Sequence, residues 1–267
     1  IFNRQVFIME NIFELLFNEY ELFLLVLVRT SGIFFISPFF SSQNVPNILK
    51  AGFSFILSIL ITLTLDFNTD FGDASFVILV VKELMVGLLI GFISYGFFST
   101  FYVMGQIIDM QIGFGMVNVI DPQQKVQVPL MGNFYYILAF LLLLSIDGHH
   151  TIIKALVDSY KFIPIGKFSF KKDIAAMLVN VLSESFITGF KLSVPVVAVI
   201  FLTDLLLGIL ARTIPQMNVF VVGMPLKIII GLIIISVSIP IFYTISTGVF
   251  NETVKEIYNF LKAFVKG

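Results

Sequence analysis

His149 and His150 stand side by side after Asp147-Gly148 and are the first residues to weigh for chemistry. Zinc hydrolases set their two histidines one helical turn apart around a glutamate, which adjacency does not provide. Asp147-Gly148-His149-His150 reads instead as a turn and helix start, with Asp147 or Thr151 as its cap. These are the only two histidines and there is no cysteine. A thiolate nucleophile and a disulfide are therefore ruled out, and no catalytic metal is expected. Gly113-x-Gly115 is not followed by Gly-Lys-Ser/Thr and lacks the third glycine of a dinucleotide loop. No Gly-x-Ser-x-Gly elbow presents a serine. The expectation is a protein that is not an enzyme and needs no cofactor or metal.

The charges that remain conspicuous lie inside apolar runs: Arg29, Lys82, Glu83, Asp204 and Lys227. A charge at the centre of a membrane helix costs roughly 2.5–3.5 kcal/mol on insertion scales. These helices are therefore not expected to face lipid all round. An ion or proton pathway is one reading. The other is pairing inside a packed bundle, Asp204 with Lys227 or Arg212 and Glu83 with Arg29. Acids and bases are balanced and no run repeats its carboxylates, as a proton relay would, so pairing is favoured.

The elements that must position these groups follow from composition. Of 267 residues, 58% are hydrophobic and 12% charged, with 32 Phe, no Trp and a net charge of −1. Soluble domains run nearer 45–50% apolar and 25% charged, so this is a membrane protein. A near-neutral chain offers no pull on nucleic acid. Acidic residues at Glu10, Glu14, Glu19 and Glu21 stand where a secretory signal would be basic, and the missing initiator Met is expected of a trimmed chain. Six stretches approach the 20 or so apolar residues of a span: Leu22–Phe40, Leu49–Leu65, Phe76–Met104, Pro129–Ile146, Leu192–Ala211 and Val219–Ile245. Amphipathic pieces, Phe2–Tyr20 and Val249–Val265, flank them, and Asp147–Asp173 is the longest polar connection. Ile174–Ala211 reads as one overlong helix that Pro195 kinks without ending. With six spans most Lys and Arg of the connections would lie on the side of the termini, which favours cytoplasmic termini.

Gly105–Val128 (GQIIDMQIGFGMVNVIDPQQKVQV) fits neither class. It is too apolar for an exposed loop, and Gly113, Gly115 and Asp121-Pro122 break it too often for a helix across lipid. Irregular backbone survives at membrane depth only when buried in protein or lining a cavity. The glycines permit positive φ, and Met104, Met110 and Met116 can seal an irregular gap and repack. A re-entrant gate or plug and a buried connector are both compatible with these residues.

Four blocks carry a family resemblance: Arg29–Phe40 (RTSGIFFISPFF), Gly105–Pro122, Asp147–His150 and above all Ala211–Lys227 (ARTIPQMNVFVVGMPLK). Within the last, Arg212, Pro215, Gln216, Met217 and Asn218 form the most specific signal. Nearly end to end, the chain resembles the flagellar FliR family, counterpart of the T subunit of injectisome export gates. The resemblance implies an all-α membrane protein of about six long, kinked helices, forming hairpins within a helical, cone-like assembly. Residues 1–146 would be a FliP-like part containing the plug loop at 105–128. Residues 147–173 would be a polar connection, and 174–267 a FliQ-like hairpin with a C-terminal amphipathic helix.

The implied role is a subunit of the flagellar type III export gate in the bacterial inner membrane, at the flagellar basal body. With FliP and FliQ it would form the channel for unfolded flagellar proteins, with FlhB packed outside and FlhA nearby. The family's plug maps onto Gln111–Asp121, so Gly113, Phe114, Gly115, Met116, Val117, Asn118, Val119 and Ile120 are candidate gate residues. Phe114, Met116, Val117 and Ile120 would supply the seal. Arg29, Glu83, Asp204, Arg212, Pro215, Gln216, Met217, Asn218 and Lys227 are candidates for packing within the bundle or against partners. Gln216 and Asn218 should present their amides to a neighbouring chain or to a turn of this one. The alternatives are an injectisome T subunit and, further off, a six-helix transporter of small solutes or ions. A transporter would normally show two related halves, and no such repeat is evident.

Overall fold

The computed structural model describes residues 20–41, 45–65, 75–114, 129–169, 173–214, 216 and 218–264. Every regular element among them is helical: α1 (Tyr20–Ile36), α2 (Pro38–Ser41), α3 (Asn47–Thr64), α4 (Phe76–Ile112), α5 (Leu130–Ser145), α6 (Gly148–Phe162), α7 (Asp173–Thr213) and α8 (Val219–Ala263). The chain is an all-α membrane protein. Helices close all their backbone hydrogen bonds internally, which hydrocarbon requires. Four described helices, α3, α4, α7 and α8, are long and apolar enough to cross a bilayer.

Several boundaries differ from the sequence reading, each for a physical reason. The first expected span stops at Ile36, and Ser37 breaks the helix before Pro38, because the residue before a proline is pushed out of the α region. The 17 residues of α1 bury Leu22, Leu25, Val26 and Ile33 in protein. The polar connection at 147–173 is mostly helix α6. Its Ile152, Ala155, Leu156, Ser159 and Tyr160 recur at helical spacing as one buried face. Gly105–Ile112, expected to be irregular, is the end of α4. The expected piece at Val249–Val265 is not separate, since α8 runs unbroken to Ala263 through Pro225 and Pro240. As expected, α7 is one helix and passes through Pro195. With 41 and 45 residues, α7 and α8 extend about 60 and 68 Å, against about 30 Å of hydrocarbon. The amphipathic start before Tyr20 lies outside the described residues.

The contacts divide the chain into two compact units, Ile1–Tyr95 with His149–Ala175 and Glu252–Gly267, and Gly96–Gly148 with Ala176–Asn251. In the first, α1 meets α4 through glycine: a Cβ on Gly87 would run into the Arg29 carbonyl, and one on Gly32 would lie 3.0 Å from Gly87 Cα. Phe23 and Phe34 of α1 pack on Phe55 and Phe53 of α3, with ring centroids 5.4 and 5.6 Å apart. In the second unit, Phe101 sits 5.1 Å from both Phe97 and Phe242. There α7 approaches α4 through Gly189, whose Cβ would lie 2.6 Å from the Thr100 carbonyl, and the Ser185 hydroxyl donates to Gly96 O at 3.1 Å. Lipid tails are as apolar as leucine, so close packing of small residues does the work that hydrophobic burial does in water.

Candidate functional site

In the first unit the buried charges pair with each other. Arg29 Nε donates to Glu83 Oε2 at 2.6 Å, and both side chains are wholly buried. The rest of the guanidinium is also matched: Nη1 donates to Ser159 Oγ at 3.2 Å and Nη2 to Ile163 O at 2.9 Å. Its carbon lies 4.2 Å over the centre of the Tyr160 ring. The other oxygen of Glu83 accepts the Gly166 N–H at 2.9 Å, and Lys82 Nζ donates to Gly166 O at the same distance. Four elements are thus joined: α1, α4, α6 and the turn after it. Arg suits this role because its planar fork satisfies several acceptors at once.

In the second unit Asp204 on α7 pairs with Lys227 on α8, Nζ to Oδ1 at 2.6 Å. The side chains stay 37% and 21% exposed, within apolar stretches of both helices. Arg212 lies in the last turn of α7, where a cation suits the helix dipole, and it is exposed. Asn218 caps α8, its Oδ1 accepting the Val221 N–H at 3.4 Å. Gln216 is exposed, while Pro215 and Met217 lie outside the described residues.

The end of α4 meets the start of α5 in the same unit. Gly113 closes α4 with φ +97° and donates to Asp109 O at 3.1 Å, the left-handed cap that glycine favours. Asp109 is buried, and its carboxylate accepts the N–H of Met131 at 3.0 and 2.9 Å and that of Gly132 at 3.2 Å. Phe114 is partly buried. Gly115, Met116, Val117, Asn118, Val119 and Ile120 lie outside the described residues.

Residues 20–253 match the family model described as "Bacterial export proteins, family 1". The chain is 38% identical over 244 residues to the flagellar biosynthetic protein FliR of Bacillus subtilis, covering 90% of this chain and 94% of that one. It belongs to the FliR family of bacterial export proteins. The FliR of Aquifex aeolicus is 29% identical over 90% of this chain and 94% of its own length, and that of Escherichia coli 28% over 88% and 89%.

As a FliR-family chain it is a membrane protein of flagellar export, and its relatives are named as export proteins rather than enzymes. The structure brings together Arg29 with Glu83 and Asp204 with Lys227. It leaves Arg212 and Gln216 exposed and puts the Asn218 amide to use within the chain. Nothing in the sequence singles out Asp109, Ser159 or Gly166. A signal for the first exists only once the helices are known: α5 opens on Pro129 with no side-chain cap, so its first N–H groups require an acceptor from elsewhere.

Proposed function

We propose that this chain is a subunit of the flagellar type III protein export gate in the inner membrane, at the flagellar basal body. There it forms, with FliP and FliQ, the channel for unfolded flagellar proteins. The observation that carries this reading is the outer surface of α7 and α8. Only 22% and 17% of their most apolar stretches are buried, yet that surface carries the half-exposed Asp204–Lys227 pair. Asn180, Glu184 and Lys191 recur on one exposed face of α7. Lipid could cover the apolar part but solvates these polar groups poorly, so further protein chains are the fitting cover. The long helices, about twice the hydrocarbon thickness, suit an assembly that rises out of the bilayer. FlhB and FlhA belong at its periphery.

Residues 113–128 fit a plug: α4 ends on a left-handed glycine, and an apolar segment follows before α5 begins. Apolar side chains at the axis, Phe114, Met116, Val117 and Ile120 among them, would exclude water and ions until substrate arrives. Coexpression with tagged FliP tests the assembly, since the chain should copurify with FliP and FliQ. Purification as a stable solitary protein that carries small solutes into vesicles would defeat the reading. Deletion of Gly113–Val119 tests the plug and should raise ion leakage through the closed complex.

A further inference from the structure

We propose that Asp109 is a positioning residue that clasps the base of the 113–128 segment, binding the end of α4 to the start of α5. Asp109 lies in the last turn of α4, where its negative charge opposes the dipole of its own helix. It is 5% exposed, and a buried carboxylate must find donors. Among the described residues its side-chain donors are the N–H groups of Met131 and Gly132. These belong to the first turn of α5, whose N–H groups have no partner inside that helix. Pro129, before them, supplies no side-chain cap. The acid is therefore placed badly for one helix and well for the next.

The backbones can come this close because of glycine. Gly105, one turn before Asp109, lies against Gly132 so tightly that a Cβ would collide with the Gly132 backbone. Tyr102 O lies 3.4 Å from where a Gly132 Cβ would stand. Tyr102, Gly105 and Asp109 thus form one face of α4, and that face holds the start of α5. Asp109 and Met131 are 22 residues apart in sequence, and the clasp joins the end of α4 to the start of α5 independently of the plug reading above.

The chain has no cysteine, so two introduced thiols report the base of the segment directly. Met110 and Leu130 flank it and are 72% and 57% exposed. Met110→Cys and Leu130→Cys, spin-labelled in the full chain assembled with its coexpressed export partners, should give one narrow distance distribution. Asp109→Leu keeps a side chain of similar shape and removes every acceptor, so it should broaden that distribution at least twofold; an unchanged width overturns the clasp. If Asp109→Leu fails to assemble, Asp109→Asn decides. It offers one acceptor oxygen to two N–H groups and should also broaden the distribution, and an unchanged width again overturns the proposal. Ion leakage separates the two ideas. Broadening in Asp109→Leu, with no leak on deleting residues 115–119, would leave the clasp standing and remove the plug. A leak on that deletion, with the distance unmoved by Asp109→Leu, would do the reverse.

Discussion

Arg29 and Glu83 meet at 2.6 Å with no exposed side-chain surface on either, so this chain shelters its most awkward charges itself. The sequence favours pairing of Glu83 with Arg29 inside the bundle over an ion pathway. No neighbouring chain is needed for this pair, because α1, α4, Ser159 and the Ile163–Gly166 turn supply the partners. The need for neighbours falls instead on Asp204 and Lys227, which keep part of their surface bare.

Removing one member of the buried pair strands the other. Glu83→Gln and Arg29→Met should each destabilise the chain by about 3–5 kcal/mol, the usual cost of an uncompensated buried charge. Arg29→Met with Glu83→Leu should recover part of that loss, because no bare charge is left. Recovery should be incomplete, since the Ile163 carbonyl and the Gly166 N–H lose their partners. Thermal unfolding of the detergent-purified protein checks this. A double variant worse than both singles would refute it.

Two glycines in neighbouring helices should respond with opposite sign. Gly52 on α3 has, among the described residues, no atom within 4 Å of the place a Cβ would take, whereas at Gly87 that atom would strike the Arg29 carbonyl. Alanine is favoured over glycine inside a helix by up to about 1 kcal/mol. Gly52→Ala should therefore be neutral or slightly stabilising in the isolated chain. Gly87→Ala should force α1 from α4 and sharply lower the amount of folded protein in the membrane. Equal effects at both positions would mean that α1 and α4 are not packed this closely.

The legible and the illegible parts of this fold differ in where their signal resides. Charge pairing is readable because an apolar helix cannot carry a bare charge cheaply, and Arg29, Glu83, Asp204 and Lys227 offer few combinations. The length of α7 is readable because its apolar pattern runs through Pro195 with no turn residue to stop it. Helix α6 is hidden by averaging: Lys154, Asp158 and Lys161 make the stretch look polar, while Ile152, Leu156 and Tyr160 form its buried face. The Asp109 contact is hidden for another reason. Its partners are backbone N–H groups, which every residue except proline possesses, so residue types at 131 and 132 announce nothing. The continuity of α8 is masked by a change of pattern, from apolar all round before Gly248 to amphipathic after it, although that glycine lies inside the helix with open space beside it.

Exchanging the charges of the second pair tests its role. Asp204→Ala leaves Lys227 bare in an apolar helix, at a cost of roughly 2.5–3.5 kcal/mol if it sits at the bilayer centre. Lys227→Ala does the same to Asp204. Either should reduce copurification with FliP and FliQ and reduce motility. Asp204→Lys combined with Lys227→Asp keeps the attraction and should restore much of both. Restoration of protein level without copurification would place a partner's own charge against one of these two positions.

Gly113 ends α4 in the left-handed region, with φ +97° and, among the described residues, no atom within 4 Å of a would-be Cβ. Backbone conformation is what requires glycine here. Gly113→Ala should carry only the strain of that conformation, about 1–2 kcal/mol for an L-residue, and assembly should survive it. Gly113→Pro should be far worse, because proline fixes φ near −65° and deletes the N–H that donates to Asp109 O. The chain would then leave α4 in another direction. If closure depends on that direction, Gly113→Pro should raise ion leakage through the assembled complex, while Gly113→Ala should leave it near the parent level. Similar leakage in the two variants would show that the exit direction of α4 does not matter to the seal.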